Sequence, residues 1–416
     1  TTPRVLPWLL SAATEQELRE EAAWLATTAV DLDPASVGAT LSTRPALPYR
    51  AAVTGTTRDE LLAGVRALAS GADSSTVVTG RARRGVAFLF TGQGAQHAGM
   101  GTELAAAFPA FRAAYEDACG ALDPHLPRPL NEVLNTEAVH ETEFAQPALF
   151  ALEVGLFRLL ESWGATPDYV AGHSTGELTA AHVAGVWTLA DAAHLVAARA
   201  RLMQALPRGG AMFAVEATEA EVAPLLSDTV SIAAIDGPTS LVLSGESAAT
   251  LAAAEELADR GRKTRPLPVS HAFHSPLMAP ILPKLAAIAA TIPHHSPTIP
   301  LISTATGEHP RLDAGHWADQ ARSPVRFADA VTILTARGVR TFVELGPDAA
   351  LTPMVQDCAP TATTIPTLCG KHPETRAITE AFAHLFTTGS TVDGHSFSPQ
   401  PPPITLPSPP QLRRSA

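Results

Sequence analysis

The spacing of apolar residues changes several times along the chain, and each change predicts a different kind of element. Short continuous apolar runs, typical of strands buried in a parallel sheet, occur at 85–90 (GVAFLF), 169–172 (YVAG) and 341–347 (TFVELGP). Segments with apolar residues at helical spacing separate these runs. This alternation predicts an α/β fold whose mostly parallel sheet carries helices on both faces.

Residues 1–80 predict a small α/β unit of their own. LPWLLSA and YRAAVTG are predicted strands, and TEQELREEAAWLATTAV and TRDELLAGVRALASG have helical spacing. Thr14 is the expected cap at the start of the first helix, and Gly71 the expected end of the second. No cluster of catalytic residue types accompanies these elements, so we expect the unit to be structural.

Between 211 and 268 the predicted order is strand, helix, strand, strand, helix, strand. The strands are AMFAV, VSIAAI, LVLSG and KTRPLPV, and the middle pair meets at Gly237-Pro238. The helices are TEAEVAPLL, with a Thr218/Glu221 capping box, and SAATLAAAEELADRG, which ends at Gly261. This order is the ferredoxin-like arrangement, and it predicts a small subdomain inserted in the larger one.

Composition narrows the classes of protein. The chain has 416 residues, enough for two or three domains, and its formal charge of −12 argues against nucleic acid as a partner. No apolar run reaches the length of about 18–20 residues that spans a bilayer, because Glu153 and Arg158 interrupt the best candidate, and residues 1–10 lack the features of a signal peptide. We therefore expect no membrane contact.

The termini and the cysteines add three expectations. Cys119, Cys358 and Cys369 are far apart and odd in number, so neither a disulfide framework nor a zinc site is indicated, and a reduced, cytoplasmic setting fits best. The start at Thr1-Thr2 without methionine suggests a segment of a longer protein. The Pro- and Ser-rich stretch 390–416 predicts an extended tail or linker.

Ser174 is the first candidate for chemistry. Gly172-His173-Ser174-Thr175-Gly176 fits G-x-S-x-G, the sharp strand-to-helix turn that exposes a nucleophilic serine, and it follows the predicted strand YVAG. The alternative is a small residue in a tight turn. A serine needs a base to become nucleophilic and donors to stabilise the oxyanion, so the remaining candidates decide.

Both kinds of partner are present in the sequence. His271 and His274 follow the small subdomain, where a histidine can reach a cleft between subdomains as a general base; a surface loop or a metal pair are the alternatives. Gly92 and Gly94 allow the backbone amide of Gln93 to face an oxyanion. The amide of Thr175 is the usual second donor at such a turn.

Arg199 is the most informative position. Residues 189–204 are predicted to form one helix, capped by Thr188 and Asp191 as a capping box, with Leu195, Val196, Leu202 and Met203 as its apolar stripe. Arg199 falls inside this stripe and Arg201 outside it. An inward-facing guanidinium needs an anionic partner, which is either a structural carboxylate or the carboxylate of a substrate.

Five motifs in one order and spacing now carry a resemblance. They are GQGAQ (92–96), QPAL (146–149), GHSTGE (172–177), RARLMQ (199–204) and HAFHS (271–275). Together they resemble the acyltransferase domains of modular type I polyketide synthases and, more distantly, the malonyl transacylases of fatty acid synthesis. The resemblance covers nearly the whole chain.

The resemblance implies a domain organisation. It divides the chain into a small α/β linker joining ketosynthase to acyltransferase (1–84), a large α/β-hydrolase-like subdomain with a parallel sheet (85–206 and 269–365), a ferredoxin-like small subdomain (207–268), and a post-acyltransferase linker and tail (366–416).

It also implies roles for single residues. Ser174 would be the nucleophile and His274 its base, with Gln93 and Thr175 supplying the oxyanion amides. Arg199 would hold the free carboxylate of the extender unit, and Gln146, Phe273 and His271 would line the substrate site. The histidine would be oriented by a backbone carbonyl near Ser323 rather than by an acid.

The implied reaction passes an acyl group from coenzyme A to the serine and then to the phosphopantetheine thiol of an acyl carrier protein, with no metal or redox cofactor. The implied partners are that carrier protein, the ketosynthase and the other domains of the same megasynthase. A serine hydrolase or editing thioesterase, and a non-catalytic docking scaffold, are the alternatives.

Phe273 leads us to expect malonyl as the acyl group, because a ring before the catalytic histidine leaves little room for an α-substituent. Two positions depart from the pattern: Thr175 stands where an aliphatic or aromatic residue is usual, and His97 where arginine is common. Thr175 keeps a substituted malonyl unit open as the alternative.

Overall fold

A computed structural model describes residues 5–307, 310–392, 394 and 403–406. Its three sheets confirm the predicted fold class: an α/β subdomain with a parallel sheet, an inserted ferredoxin-like subdomain and a preceding small α/β unit. No helix in the described part of the chain is long and apolar enough to cross a bilayer.

The first unit packs helices against an antiparallel sheet of order β1-β2-β3. Its elements are β1 (Leu6–Ala12), α1 (Glu15–Thr28), α2 (Pro34–Ser42), β2 (Tyr49–Gly55), α3 (Arg58–Ser70) and β3 (Val77–Arg81). Thr14 caps α1 in a capping box, and Gly71 ends α3 in the left-handed conformation, as the sequence predicted. Strand β3 was not predicted, because this short edge strand has no fully buried face and contains Gly80.

The large subdomain contains the parallel sheet, of order β11-β10-β4-β5. Its first part consists of β4 (Val86–Phe90), α4 (Thr102–Ala107), α5 (Pro109–Leu122), α6 (Thr142–Ser162), β5 (Tyr169–Gly172), α7 (Gly176–Val183) and α8 (Leu189–Gln204). Strands β4 and β5 pair side by side and in parallel. The glycine-rich turn after β4 and the serine turn after β5 therefore meet at one edge of the sheet.

The small subdomain has the sheet order β7-β8-β6-β9, with all neighbours antiparallel. It consists of β6 (Ala211–Val215), α9 (Glu219–Val222), β7 (Val230–Gly237), β8 (Ser240–Gly245), α10 (Ser247–Asp259) and β9 (Thr264–Pro266). Two predicted elements are shorter than expected because of proline. A 3-10 turn at Ala223–Leu225, which contains Pro224, replaces the end of the first helix, and β9 stops at Pro266 instead of reaching Val269.

The chain then returns to the large subdomain through α11 (Leu282–Ala289), α12 (Ala314–Gln320), α13 (Phe327–Ala336), β10 (Thr341–Leu345), α14 (Thr352–Cys358), β11 (Thr363–Pro366) and α15 (Glu374–Thr388). Further 3-10 turns lie at Asp123–His125, Leu130–Glu132, Glu137–His140 and Pro276–Ile281. Val325, between α12 and α13, exchanges backbone hydrogen bonds with β7, so the small subdomain is fixed to this return segment.

Helix α15 joins the large subdomain to the first unit. Arg50 on β2 donates from Nη1 to the carbonyl of Phe386 (2.9 Å), and its ring-facing guanidinium lies 5.1 Å from the centre of the Phe386 ring. Of the predicted tail, residues 403–406 lie against the first unit, where Thr40 Oγ1 donates to the Ile404 carbonyl (3.1 Å). Residues 393, 395–402 and 407–416 of this stretch lie outside the described residues.

Candidate active site

The backbone at Ser174 has the shape of a nucleophile elbow. Ser174 lies between β5 and α7 with φ of 52°, in the left-handed region. A Cβ at Gly172 would come within 2.1 Å of Gly176, and one at Gly176 within 2.3 Å of the Phe90 carbonyl, so only glycine fits either position. His274, with φ of 54°, is the one other non-glycine residue with positive φ in the described part of the chain.

Ser174 and His274 are in direct contact. Ser174 Oγ lies 2.6 Å from His274 Nε2, and His274 Nδ1 donates to the Ser323 carbonyl at 2.8 Å. Because a carbonyl only accepts, Nδ1 carries the proton and Nε2 is free to take the serine proton. Burial, and secondly the charge of Arg199, lower the pKa of His274 to about 3, so the imidazole is neutral.

In the described part of the chain no carboxylate contacts His274, whose ring nitrogens face Ser174 and Ser323. The carboxylate of Asp236 on β7 pairs instead with His173 at 2.9 Å. The elbow is held instead from the return segment, where Gln320 donates to the Ser174 carbonyl at 2.7 Å. Gln320 was not among the predicted site residues, since one amide on a short helix leaves no recognisable pattern.

The two predicted oxyanion donors lie on the adjacent turns that follow β4 and β5. Within the described residues the backbone N–H groups of Gln93 and Thr175 make no hydrogen bond, so both are available to a ligand. A Cβ at Gly92 would come within 2.9 Å of the His173 carbonyl, which shows how closely the two turns approach. The arrangement suits an oxyanion formed at Ser174.

The structure confirms the predicted placement of Arg199 on α8. The Arg199 side chain is buried, with an exposed fraction of 2%, whereas the Arg201 side chain is exposed. The sequence distinguished the two because Arg199 falls inside the apolar stripe of the helix and Arg201 outside it. Of the predicted capping box at Thr188, the hydroxyl accepts from the Asp191 amide, but the Asp191 carboxylate accepts from that hydroxyl rather than from the Thr188 amide. The cap is therefore one-sided.

The partners of Arg199 are neutral. It donates from Nη1 to Gln146 Oε1 (2.7 Å) and from Nη2 to Ser174 Oγ (3.3 Å), while Nε has no partner among the described residues. In the described part of the chain no carboxylate lies within ion-pair distance of it. Burial lowers its pKa to about 10, opposed by the charge of Glu177, so the guanidinium stays charged. These contacts disfavour a structural carboxylate as its partner.

Glu177 is the last residue of the GHSTGE motif, and the sequence predicted no role for it. It is fully buried, and its Oε2 accepts from the hydroxyl of Thr304 at 2.8 Å. Its Oε1 lies 3.5 Å from Nε2 of His316 on α12. The first helical turn after the elbow is thereby attached to the return segment.

His271 does not reach Ser174 or share a ligand with His274. Its Nε2 lies 3.0 Å from the Leu206 carbonyl and its Nδ1 2.9 Å from Ser270 Oγ, so both ring nitrogens have protein partners. This disfavours the metal-pair alternative. Phe273 is partly buried and packs on the main hydrophobic cluster beside the His271 ring.

A second buried carboxyl, Glu153, lies on α6 and was read from the sequence only as an interruption of an apolar run. Its Oε1 contacts the hydroxyl of Thr91 (2.8 Å), at the end of β4, and its Oε2 that of Thr179 (2.6 Å), on α7. Burial raises its pKa to about 8. A carboxyl group within a continuous apolar helix face was the signal that could have found it.

Comparison with known proteins agrees with this geometry. Residues 87–392 match the family described as "Acyl transferase domain". The chain is 48% identical over 402 residues to mycoketide-CoA synthase of Mycobacterium tuberculosis, and 47% identical over 405 residues to the phenolphthiocerol synthesis polyketide synthase type I Pks15/1 of Mycobacterium marinum. Each match covers 94% of the chain but only 10% and 19% of the relative, so the chain spans less than a fifth of these proteins.

Solved structures give the same result. The acyltransferase domain from the second module of the salinomycin polyketide synthase is 46% identical with a TM-score of 0.81, covering 94% of this chain and 95% of that one. The malonyl CoA-acyl carrier protein transacylase of Coxiella burnetii is 30% identical with a TM-score of 0.67, covering 73% of this chain and 98% of that one.

Proposed function

Because the chain belongs to the acyl transferase domain family and is an acyltransferase similar to those of polyketide synthases, we propose that it loads an extender unit, malonyl, onto an acyl carrier protein. The single observation that carries the choice of a carboxylated acyl group is Arg199: a buried, charged guanidinium beside Ser174 whose described partners are neutral. A substrate carboxylate would supply the missing anion.

In the first step Ser174 attacks the thioester carbonyl of malonyl-coenzyme A while His274 Nε2 takes the hydroxyl proton. The tetrahedral oxyanion accepts hydrogen bonds from the amides of Gln93 and Thr175. The carbon–sulfur bond then breaks, and the imidazolium returns its proton to the departing thiolate of coenzyme A. The products are malonyl-Ser174, free coenzyme A and a neutral histidine.

In the second step the same groups act in reverse. The phosphopantetheine thiol of the carrier protein gives its proton to His274 and attacks the acyl-serine. The ester bond breaks, and Ser174 recovers its proton from the imidazolium. The Ser323 carbonyl stabilises that imidazolium by accepting a hydrogen bond from Nδ1, and so takes the place of the acidic residue in a Ser-His-Asp triad.

Carboxylate binding also strengthens the base. The positive charge of Arg199 is the second cause of the low pKa of His274, after burial. A malonyl carboxylate bound to Arg199 compensates that charge, and so raises the pKa of the histidine toward the range in which a base is effective. A substrate without the carboxylate lacks this effect.

The nucleophile is tested by Ser174→Ala. Alanine fits the elbow, so we expect a folded variant that forms no covalent adduct with malonyl-coenzyme A, whereas the wild type gains the mass of one malonyl group. Intact-mass spectrometry makes the measurement. A malonyl adduct on the variant would overturn the assignment of Ser174.

The acceptor is tested on the loaded wild type. Adding carrier protein should discharge malonyl-Ser174 onto the carrier thiol, whereas faster discharge to water than to the carrier would identify a hydrolase.

The choice of acyl group is tested by competition. A competition among malonyl-, methylmalonyl- and hydroxymalonyl-thioesters should favour malonyl by about 1–3 kcal/mol in kcat/KM. A higher kcat/KM for a substituted unit would show that Phe273 does not select the acyl group, and would leave Thr175 as the candidate for that role.

A further inference from the structure

A chain of side-chain hydrogen bonds leads away from Arg199. Arg199 Nη1 donates to Gln146 Oε1 at 2.7 Å, and Gln146 Nε2 donates to Gln93 Oε1 at 3.2 Å. Gln93 Nε2 in turn donates to Thr142 Oγ1 at 3.1 Å. The proposed carboxylate-binding residue is thus connected to the side chain of the residue that offers an oxyanion amide.

The chain continues from Thr142 to the rim of the cleft. Thr142 Oγ1 lies 3.4 Å from Ser270 Oγ, and Ser270 Oγ lies 2.9 Å from His271 Nδ1. His271 Nε2 lies 3.0 Å from the carbonyl oxygen of Leu206, just after α8. Thr142 is fully buried at the start of α6, whereas Ser270 is exposed.

The two ends of this chain fix the direction of every bond in it. A guanidinium can only donate and a backbone carbonyl can only accept. A side-chain amide or a neutral imidazole accepts at one atom and donates from another, whereas a hydroxyl accepts and donates at its single oxygen. All links are satisfied when Thr142 donates to Ser270, Ser270 donates to His271 Nδ1, and Nε2–H donates to the Leu206 carbonyl.

We propose that Thr142 and Ser270 are positioning residues for carboxylate recognition: their hydroxyls complete this one-way chain and keep the amide oxygen of Gln146 directed at Arg199. The proposal rests on the proposed function, since it concerns how the same site selects a carboxylated acyl group. Hydrogen bonds arranged head to tail strengthen one another, so a break at one link weakens its neighbours.

The two hydroxyls should matter to different degrees. Loss of the Thr142 hydroxyl leaves the amide nitrogen of the half-buried Gln93 without its acceptor, because that hydroxyl is itself fully buried. The Gln93 amide is then free to rotate, and with it the amide of Gln146 that holds Arg199. Water can replace the exposed Ser270 hydroxyl, so its loss should be milder.

The experiment compares Thr142→Val, which keeps the shape of the side chain, with Thr142→Ser, which keeps the hydroxyl. Acylation of Ser174 by malonyl- and acetyl-coenzyme A is followed by intact mass. We expect Thr142→Val to lower the malonyl rate about tenfold, roughly the worth of one hydrogen bond, and the acetyl rate clearly less. Thr142→Ser should keep the wild-type ratio of the two rates, with Ser270→Ala in between.

Equal losses for both thioesters in Thr142→Val, or a Thr142→Ser variant that behaves like Thr142→Val, would overturn the proposal. Thermal melting checks that each variant is folded. If Thr142→Val does not fold, the ratio of the two rates in Ser270→Ala decides, because an exposed hydroxyl is dispensable for folding; an unchanged ratio there overturns the proposal.

A second measurement does not depend on loading. The direction of the chain requires His271 to be neutral with its proton on Nε2. The ¹⁵N spectrum of the labelled wild type, minus that of His271→Gln, reports which ring nitrogen is protonated. A proton on Nδ1 would overturn the proposal, whereas failure of the wild type to load malonyl would count against the proposed function alone.

Discussion

Among the buried polar side chains of helix α6, Gln146 and Glu153 lie about two turns apart, and the ionisable groups in the regions around them differ in how completely they are satisfied. Around Glu153 both carboxyl oxygens have hydroxyl partners from the ends of neighbouring elements. Around Gln146 the charged group is Arg199, which has two neutral partners and one unused donor nitrogen within the described part of the chain.

The difference separates an ionisable group that belongs to the fold from one that we propose binds the carboxylate of the substrate. A buried ionisable group is tolerated when its partners are supplied internally, or when it changes protonation. Glu153 meets both conditions, because burial raises its pKa to about 8. Arg199 meets neither condition. Burial lowers its pKa only to about 10, so the guanidinium keeps its charge, and no described carboxylate pairs with it.

The largest expected effect comes from removing the unsatisfied charge. Arg199→Ala should cost roughly 2–5 kcal/mol in malonyl transfer, because the substrate carboxylate loses its desolvated partner, while acetyl transfer should change much less. The measurement is kcat/KM for both thioesters. Arg201→Ala, an exposed arginine on the same helix, is the matched control and should stay near wild type. Equal losses for malonyl and acetyl would make Arg199 a structural residue like Glu153.

A smaller, pH-dependent effect is expected at Glu153. Its pKa is raised above the ordinary value of 4.5, so the stability that the protonated carboxyl contributes is full below about pH 4.5 and falls as the pH rises toward 8. Glu153→Gln keeps both hydroxyl contacts but does not titrate. Relative to wild type, the variant should therefore gain roughly 1 kcal/mol in free energy of unfolding per pH unit over this range.

Urea denaturation at pH 5 and pH 8 measures this difference, and the ratio of malonyl to acetyl transfer serves as control, since Glu153 makes no contact with the proposed substrate site. A stability difference that is the same at both pH values would mean that the carboxyl is not protonated in the fold.

The smallest expected effect comes from Thr179. Thr179→Val removes one of the two hydroxyls that bind Glu153 and should lower the free energy of unfolding by about 0.5–1.5 kcal/mol, with no change in acyl selectivity. Thr179→Ser keeps the hydroxyl and is the control. A change in the ratio of malonyl to acetyl transfer would contradict the comparison, because it would show that the region around Glu153 also affects acyl selection.

The same contrast explains what the sequence could predict. Arg199 was found because α8 is amphipathic, and one charged residue in an apolar stripe is visible in a short window. Gly172 and Gly176 were found because the elbow leaves no room for a side chain there. The apolar stripe and the close approach of Gly172 to Gly176 are local, so the sequence shows them, whereas the approach of Gly176 to the Phe90 carbonyl is a tertiary contact.

The remaining residues depend on tertiary contacts. Thr142 and Ser270 touch across 128 positions of sequence, and Gln320 reaches Ser174 across 146. A hydroxyl or an amide has no periodic signature, and only the folded arrangement of β4, β5, α6 and the return segment brings these groups together. The role of Ser323 came from the resemblance and not from any local pattern, whereas that of Gln93 was already indicated by the flanking Gly92 and Gly94.

The left-handed backbone at Ser174 has an evolutionary consequence. At φ of 52° a β-branched side chain is strongly disfavoured, whereas serine, cysteine and alanine differ little in backbone cost. Threonine, the closest chemical relative of serine, is therefore a poor neighbour in sequence space, and cysteine, with different chemistry, is an accessible one. We expect Ser174→Thr to melt at a lower temperature than Ser174→Cys, and the reverse order would argue against this constraint. Conformation, more than reactivity, then limits which nucleophiles this elbow can acquire by single substitutions.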